Sequence, residues 1–170
     1  MHSGRGIRMW TVALLVVIAT LSLSVSATNA AADPRNRAVT GQVTGTSFFD
    51  FFSHGCGFVY QRFDLSYVDD RGGVGTLQAD TCGDVRLIDG ALIPVFEGPF
   101  ELVTGKGAVL TGDLVGAIGR TLPPFPLEMT LTVESGTKSF ANSEGTVHFV
   151  GTWFQESTEV VGSLTGELTR

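Results

Sequence analysis

The stretch "VTGQVTG", Val39 to Gly45, places an aliphatic residue and a glycine by turns at every second position. The same figure returns as "LTGDLVG" (Leu110–Gly116) and "VVGSLTG" (Val160–Gly166). Side chains on a strand alternate between faces with period two, so Val39, Gly41, Val43 and Gly45 share one face, and the later copies behave in the same way. On that face bulk and absence of bulk alternate. Glycine weakens a strand, and its presence inside one is explained by a bend, a bulge or the close approach of a neighbour. Alternating small and large inward residues also fill the taper of a small closed barrel, and glycine kinks let a sheet coil. The expectation is an all-β fold, an antiparallel closed β-barrel of about eight strands. The third copy, near the C-terminus, pairs back toward the first. Closure also removes exposed sheet edges.

The flanking sequence supports strands and offers no sustained helical period. Leu127, Met129, Leu131 and Val133 alternate with Glu128, Thr130, Thr132 and Glu134, and Phe96, Phe100 and Leu102 alternate with Glu97, Glu101 and Val103. Val59, Phe63, Leu65 and Tyr67 likewise oppose Arg62, Asp64 and Ser66. One wet face and one buried face is the antiparallel habit. Turn residues divide the chain into nine candidate strands: Val39–Phe48, Phe58–Val68, Val74–Thr81, Val85–Ile93, Val95–Val103, Ala108–Ile118, Pro126–Glu134, Thr146–Phe154 and Glu159–Thr169.

The N-terminal stretch has Arg5 and Arg8 ahead of an apolar run from Met9 to about Ala19, then small residues and alanines. That is the layout of a secretory signal peptide, and it predicts a leader over residues 1–30, a flexible segment over 31–37 and one barrel domain over 38–170. The run is short for a membrane span, so stable membrane insertion after cleavage is not expected. Removing the leader takes two of the eleven Lys and Arg and none of the seventeen Asp and Glu. So acidic a chain opposes nucleic acid and anionic lipid, whose binding depends on Lys and Arg displacing counterions.

Cys56 and Cys82 are the two cysteines of the chain, and in an exported protein their even count points to a disulfide. The alternatives are two buried thiols or a reactive one. A bond would stabilise by about 3 to 4 kcal/mol in the chain-entropy model.

The segment "TLTVESGTKSFANSEGTVHFVGTW", Thr130 to Trp153, resembles the strand and Gly-Thr turn shared by the allene oxide cyclase and dirigent-like β-barrels, secreted bacterial members among them. Gly136, Thr137, Phe140, Ala141 and Gly145 match, while Lys138, Asn142 and Ser143 depart from that pattern. The resemblance implies an eight-stranded barrel able to enclose an apolar ligand. It carries over no catalytic residue.

Other chemistries find little support. His54 stands two residues before Cys56, but the glycines around Cys56 indicate a turn, and Cys82 competes for the sulfur. Zinc needs four ligands, for which His54, His148, Cys56 and Cys82 would have to converge, so no metal is expected. Asp69 and Asp70 lack the ligand spacing of a calcium loop and read as a hairpin turn. No phosphate loop, nucleophile elbow or cofactor motif is present. Catalytic residues and cofactors are therefore none.

The aromatic inventory is more suggestive. Phe48, Phe49, Phe51 and Phe52 cannot all point inward on one strand, so some must cover a barrel end, line an opening or meet a partner. With Phe125, His148 and Trp153 they form the candidate ligand-binding set, since ligand cavities favour apolar and aromatic linings and barrel mouths. The leading expectation is a secreted protein that binds a small apolar ligand or serves an envelope or surface role without catalysis. A cyclase-like enzyme and an interaction module built on Phe48–Phe52 are the alternatives. A cavity lined by a buried carboxylate, His148 or a tyrosine would favour the enzyme.

Overall fold

The computed structural model describes residues 36–88, 90–119 and 122–170. The leader expected over residues 1–30, and residues 31–35 of the segment after it, lie outside the described residues. Eight strands follow: β1 (Arg37–Phe51), β2 (Val59–Asp69), β3 (Val74–Ile88), β4 (Ala91–Val103), β5 (Val109–Ile118), β6 (Phe125–Gly136), β7 (Glu144–Phe154) and β8 (Glu159–Thr169). Each pairs antiparallel with the next, and β8 pairs with β1 to close the barrel.

The closing seam joins the first and third copies of the glycine repeat. Val39 lies opposite Gly166, Gly41 opposite Leu164, Val43 opposite Gly162 and Gly45 opposite Val160. Every bulky inward residue of one copy therefore faces a glycine of the other, and the two strands interlock where two aliphatic rows would collide. Aromatic rings use the same vacancies. A Cβ on Gly41 would sit 2.3 Å from the Tyr67 ring, one on Gly116 2.2 Å from Phe96, and one on Gly162 2.5 Å from Phe149. The glycines are thus explained by close approach, the interior being packed like a crystal.

The inward residues of all eight strands merge into one core, with Phe63, Leu77, Leu102, Leu114, Leu131 and Phe149 fully buried. The outward positions carry Arg62, Asp64, Gln78, Glu101, Glu128 and His148, all exposed. Apolar inside and polar outside is the reverse of the pattern on a barrel whose outer wall faces lipid. No helix among the described residues is long and apolar enough to cross a membrane.

The nine-strand division is corrected to eight. The expected break between Thr81 and Val85 does not occur, because β3 runs on with Cys82 opposite Glu97, Gly83 opposite Phe96 and Asp84 opposite Val95. Gly83 belongs to the strand because Val59 crowds it, 2.4 Å from where a Cβ would stand. The chain reverses instead between Ile88 and Ala91, at Gly90 with φ +76°. The expected strand Val85–Ile93 is split across that hairpin. A bulge between Thr111 and Gly112 on the β5–β6 seam adds a local bend.

Up-and-down connectivity gives the barrel two distinct ends. One collects the β2–β3 and β4–β5 turns and the β6–β7 connection with its short 3-10 helix, Lys138–Phe140, and Phe140 packs against the core there. The other collects the β1–β2 loop, the β3–β4 hairpin and the β5–β6 and β7–β8 connections. The aromatic-rich termini of β1, β6 and β7 all finish at this second end.

Candidate functional site: the aromatic mouth of the barrel

The second end is hollowed into a cavity of about 990 Å³ that opens to solvent. Its walls are aromatic. Phe49 on β1, Phe125 on β6 and Trp153 on β7 are half-buried and form a continuous surface, with ring centroids 4.7 Å apart for Phe49 and Trp153 and 5.5 Å for Phe125 and Trp153. Their positions follow from alternation, since Phe49 shares the parity of the inward Val43 and Ser47 on β1, Phe125 that of Leu127 on β6 and Trp153 that of Phe149 on β7. Ile118 and Phe96 underlie them, and Phe96 passes its ring to Phe63 in the core, 5.2 Å away.

The rim is apolar as well. Phe51 and Phe58 border the opening in an edge-to-face pair at 5.9 Å, and Phe52 packs edge-on to Phe58 at 5.8 Å. Phe51 is 60% exposed and Phe52 75%. Val85 and Leu92 of the β3–β4 hairpin continue the rim. The loop from Phe52 to Phe58 is turned by left-handed backbone at Phe52 (φ 56°), His54 (φ 52°) and Gly55 (φ 76°), an unfavourable conformation for the first two. It is held by the Phe52 N–H donating to the Phe58 carbonyl at 3.0 Å and by the Cys56–Cys82 disulfide, which fastens the loop to the outer face of β3. No free thiol exists among the described residues. His54 stacks on Tyr60 at 4.1 Å and lies 3.9 Å from Asp50, outside the cavity lining.

Of the residues singled out from sequence, Phe48, Phe49, Phe51, Phe125 and Trp153 line the cavity, Phe48 from its outward side of β1. Phe52 supports the rim without lining it. His148 is a correction: it stands on the outer wall of β7 between the inward Val147 and Phe149, with Nδ1 3.3 Å from Thr130 Oγ1. Period two forbids it the interior that Trp153 reaches.

Among the lining residues outside that set, Gln61 stands out. Gln61 on β2 is only 2% exposed, as is Phe96, and these two are the most deeply buried side chains bordering the cavity. Its parity with Phe63, Leu65 and Tyr67 placed it inward, but its polarity disguised it as surface. Thr81 Oγ1 donates to its backbone carbonyl at 2.9 Å, while its carboxamide has no protein partner among the described residues. Phe49 is its cross-strand partner. Two buried polar groups near Phe49 lack partners among the described residues, the Ser47 hydroxyl and the Trp153 indole N–H.

The one ionisable side chain among the described residues lining the cavity is Asp84, exposed on the hairpin. No cluster of metal-ligating side chains occurs among the described residues. A second recess, of about 440 Å³, lies at the opposite end beside Tyr67, where Arg37, Asp69, Asp70, Arg71 and Lys106 make it polar. No protein-family model, curated protein or solved structure matches the chain.

Proposed function

We propose that this protein is exported and binds a small apolar molecule in the mouth of its barrel without transforming it. The observation that carries the proposal is the 990 Å³ cavity with walls of Phe49, Phe125 and Trp153. Its size and lining suit ligand sites, which run to about 300–1,000 Å³ and are mainly apolar with a few polar groups. The exposed rings of Phe51 and Phe52 extend the apolar surface into solvent and give an incoming hydrophobic molecule a first contact. Binding is favoured over turnover because general acid–base work needs a group with a tuned pKa at the reacting atoms, and Asp84 is an exposed rim carboxylate. The disulfide suits an oxidising compartment, in keeping with export. The likeness of Gly136–Gly145 to the allene oxide cyclase and dirigent-like barrels extends to architecture in this reading and not to chemistry. That segment sits at the end away from the cavity.

Diphenylhexatriene, a hydrocarbon that fluoresces when shielded from water, tests the proposal. Micromolar binding is expected, weakened at least ten-fold by Phe49→Ala and unchanged by Val150→Ser on the outer wall. Absence of binding, or equal binding by Phe49→Ala, overturns it.

A further inference from the structure

The cavity lining is mainly apolar, with Asp84, Gln155 and Thr158 exposed and Gln61 as its one buried polar side chain, and that exception is informative. A buried carboxamide without partners is costly, and cores place Gln there only when something satisfies it. Gln61 is 98% removed from solvent and borders the cavity, and its carboxamide makes no hydrogen bond to another described residue, so the cavity is where a partner can reach it. Around it the polarity is all neutral. The Ser47 hydroxyl and the Trp153 indole N–H, both buried and unpaired, flank Phe49, the residue directly across from Gln61 on β1. No Lys, Arg or His lines the cavity among the described residues, and the charge that does, Asp84, is negative.

We propose that the ligand is an uncharged, largely hydrocarbon molecule bearing a hydrogen-bonding oxygen, such as a ketone, ester or alcohol, and that this oxygen seats on the Gln61 carboxamide. The proposal rests on the ligand-binding reading and sharpens it to a chemical class. A carbonyl oxygen accepts from the Gln61 N–H, and a hydroxyl both accepts from it and donates to its carbonyl. A carboxylate reaching the same depth would be desolvated without a countercharge and faces Asp84 on entering, and a quaternary ammonium, although aromatic faces attract it, brings no hydrogen-bonding atom to the carboxamide. Neutral oxygen is the chemistry that satisfies Gln61 without burying charge.

The test is competition for bound diphenylhexatriene by three ligands of one chain length, 2-decanone, decanoate and decyltrimethylammonium, at neutral pH and below their micellar concentrations. The ketone is expected to compete at least ten-fold better than either ion. Gln61→Leu is expected to lower the affinity for the ketone about ten-fold relative to that for diphenylhexatriene, since the hydrocarbon asks nothing of the amide. Equal competition by decanoate or the ammonium overturns the proposal, as does a Gln61→Leu protein that binds the ketone undiminished. The comparison on the unaltered protein stands even if the variant folds poorly. Failure of diphenylhexatriene itself to bind sinks the ligand-binding reading and this one with it, an outcome distinct from binding without preference.

Discussion

Gly116 and Phe96 show how a single hydrogen in place of a methyl group shapes the interior. The Phe96 ring lies where a Cβ on Gly116 would be, and Gly116→Ala is therefore expected to cost about 1–3 kcal/mol through overpacking. If the ring is the obstacle, Phe96→Leu should recover part of that loss, and the double-mutant cycle in urea should be non-additive. Tyr67 offers a second measurable case. Burial, followed by the charges of Asp69 and Asp70, pushes its phenol up to about 12, although its hydroxyl donates to the Thr40 carbonyl at 2.7 Å. In the unfolded chain the same group titrates near 10. The folded state thus holds the proton more tightly, so this contribution is intact below about pH 10 and is lost as pH rises toward 12. Tyr60 also titrates above its usual range, chiefly through its hydrogen bond to Asp80. Tyrosinate absorbance at 295 nm should accordingly be delayed for both tyrosines, and Tyr67→Phe should flatten the fall of the urea midpoint between pH 10 and 12.

The loop between β1 and β2 combines two left-handed non-glycine residues with the most exposed rings of the mouth. Phe52 has a left-handed backbone that suits glycine, and Phe52→Gly is expected to leave stability unchanged or raise it by up to about 1 kcal/mol. A gain in melting temperature together with weaker diphenylhexatriene binding would mark the phenylalanine as retained for its surface. The disulfide is what keeps this loop against β3. Reducing it reopens a chain segment with a sequence separation of 26, at a cost of about 3 kcal/mol. Melting with and without a phosphine reductant should show a fall of several degrees, and the reduced protein should be cleaved first within the Phe52–Phe58 loop. From sequence, the His-Gly-Cys triplet drew attention as possible chemistry. The even cysteine count and the export signal already point to a fastening, and the outward face of β3 places Cys82 beside Cys56, with Cα atoms 5.2 Å apart.

Closure makes the barrel depend on its last strand as much as on its first. Removing β8 with the residue after it, residues 159–170, would expose the edges of β1 and β7 and take Val160, Leu164 and Leu168 out of the core. The truncated chain is expected to lose its cooperative thermal transition and to aggregate through those edges, which size-exclusion chromatography would reveal. A soluble monomer melting cooperatively would show instead that closure is dispensable. Pairing of Val39 with Gly166 spans nearly the whole described chain, so folding should be slow, on the order of milliseconds to seconds.

How much of this was legible in the chain differs by feature, and the reason is the reach of the forces involved. Alternation is local: "VTGQVTG" and its copies were enough to call strands, inward glycines and closure, because a two-residue period dictates which side chains share a face. Strand limits around Cys82–Asp84 were misread because Gly83 signals a turn in isolation, and Val59, a distant neighbour, makes it a necessity of the strand. The phenylalanines of β1 announced an end or an opening, since one strand cannot hide four adjacent rings. Gln61 stayed hidden, although its parity was visible, because a polar residue on an inward face has meaning only once the cavity beside it is known. Sequence settled the class of fold through short-range periodicity. The tertiary structure alone decided that one end opens into a large aromatic cavity and the other into a smaller polar recess, because that depends on which side chains from eight separate strands arrive in the same space.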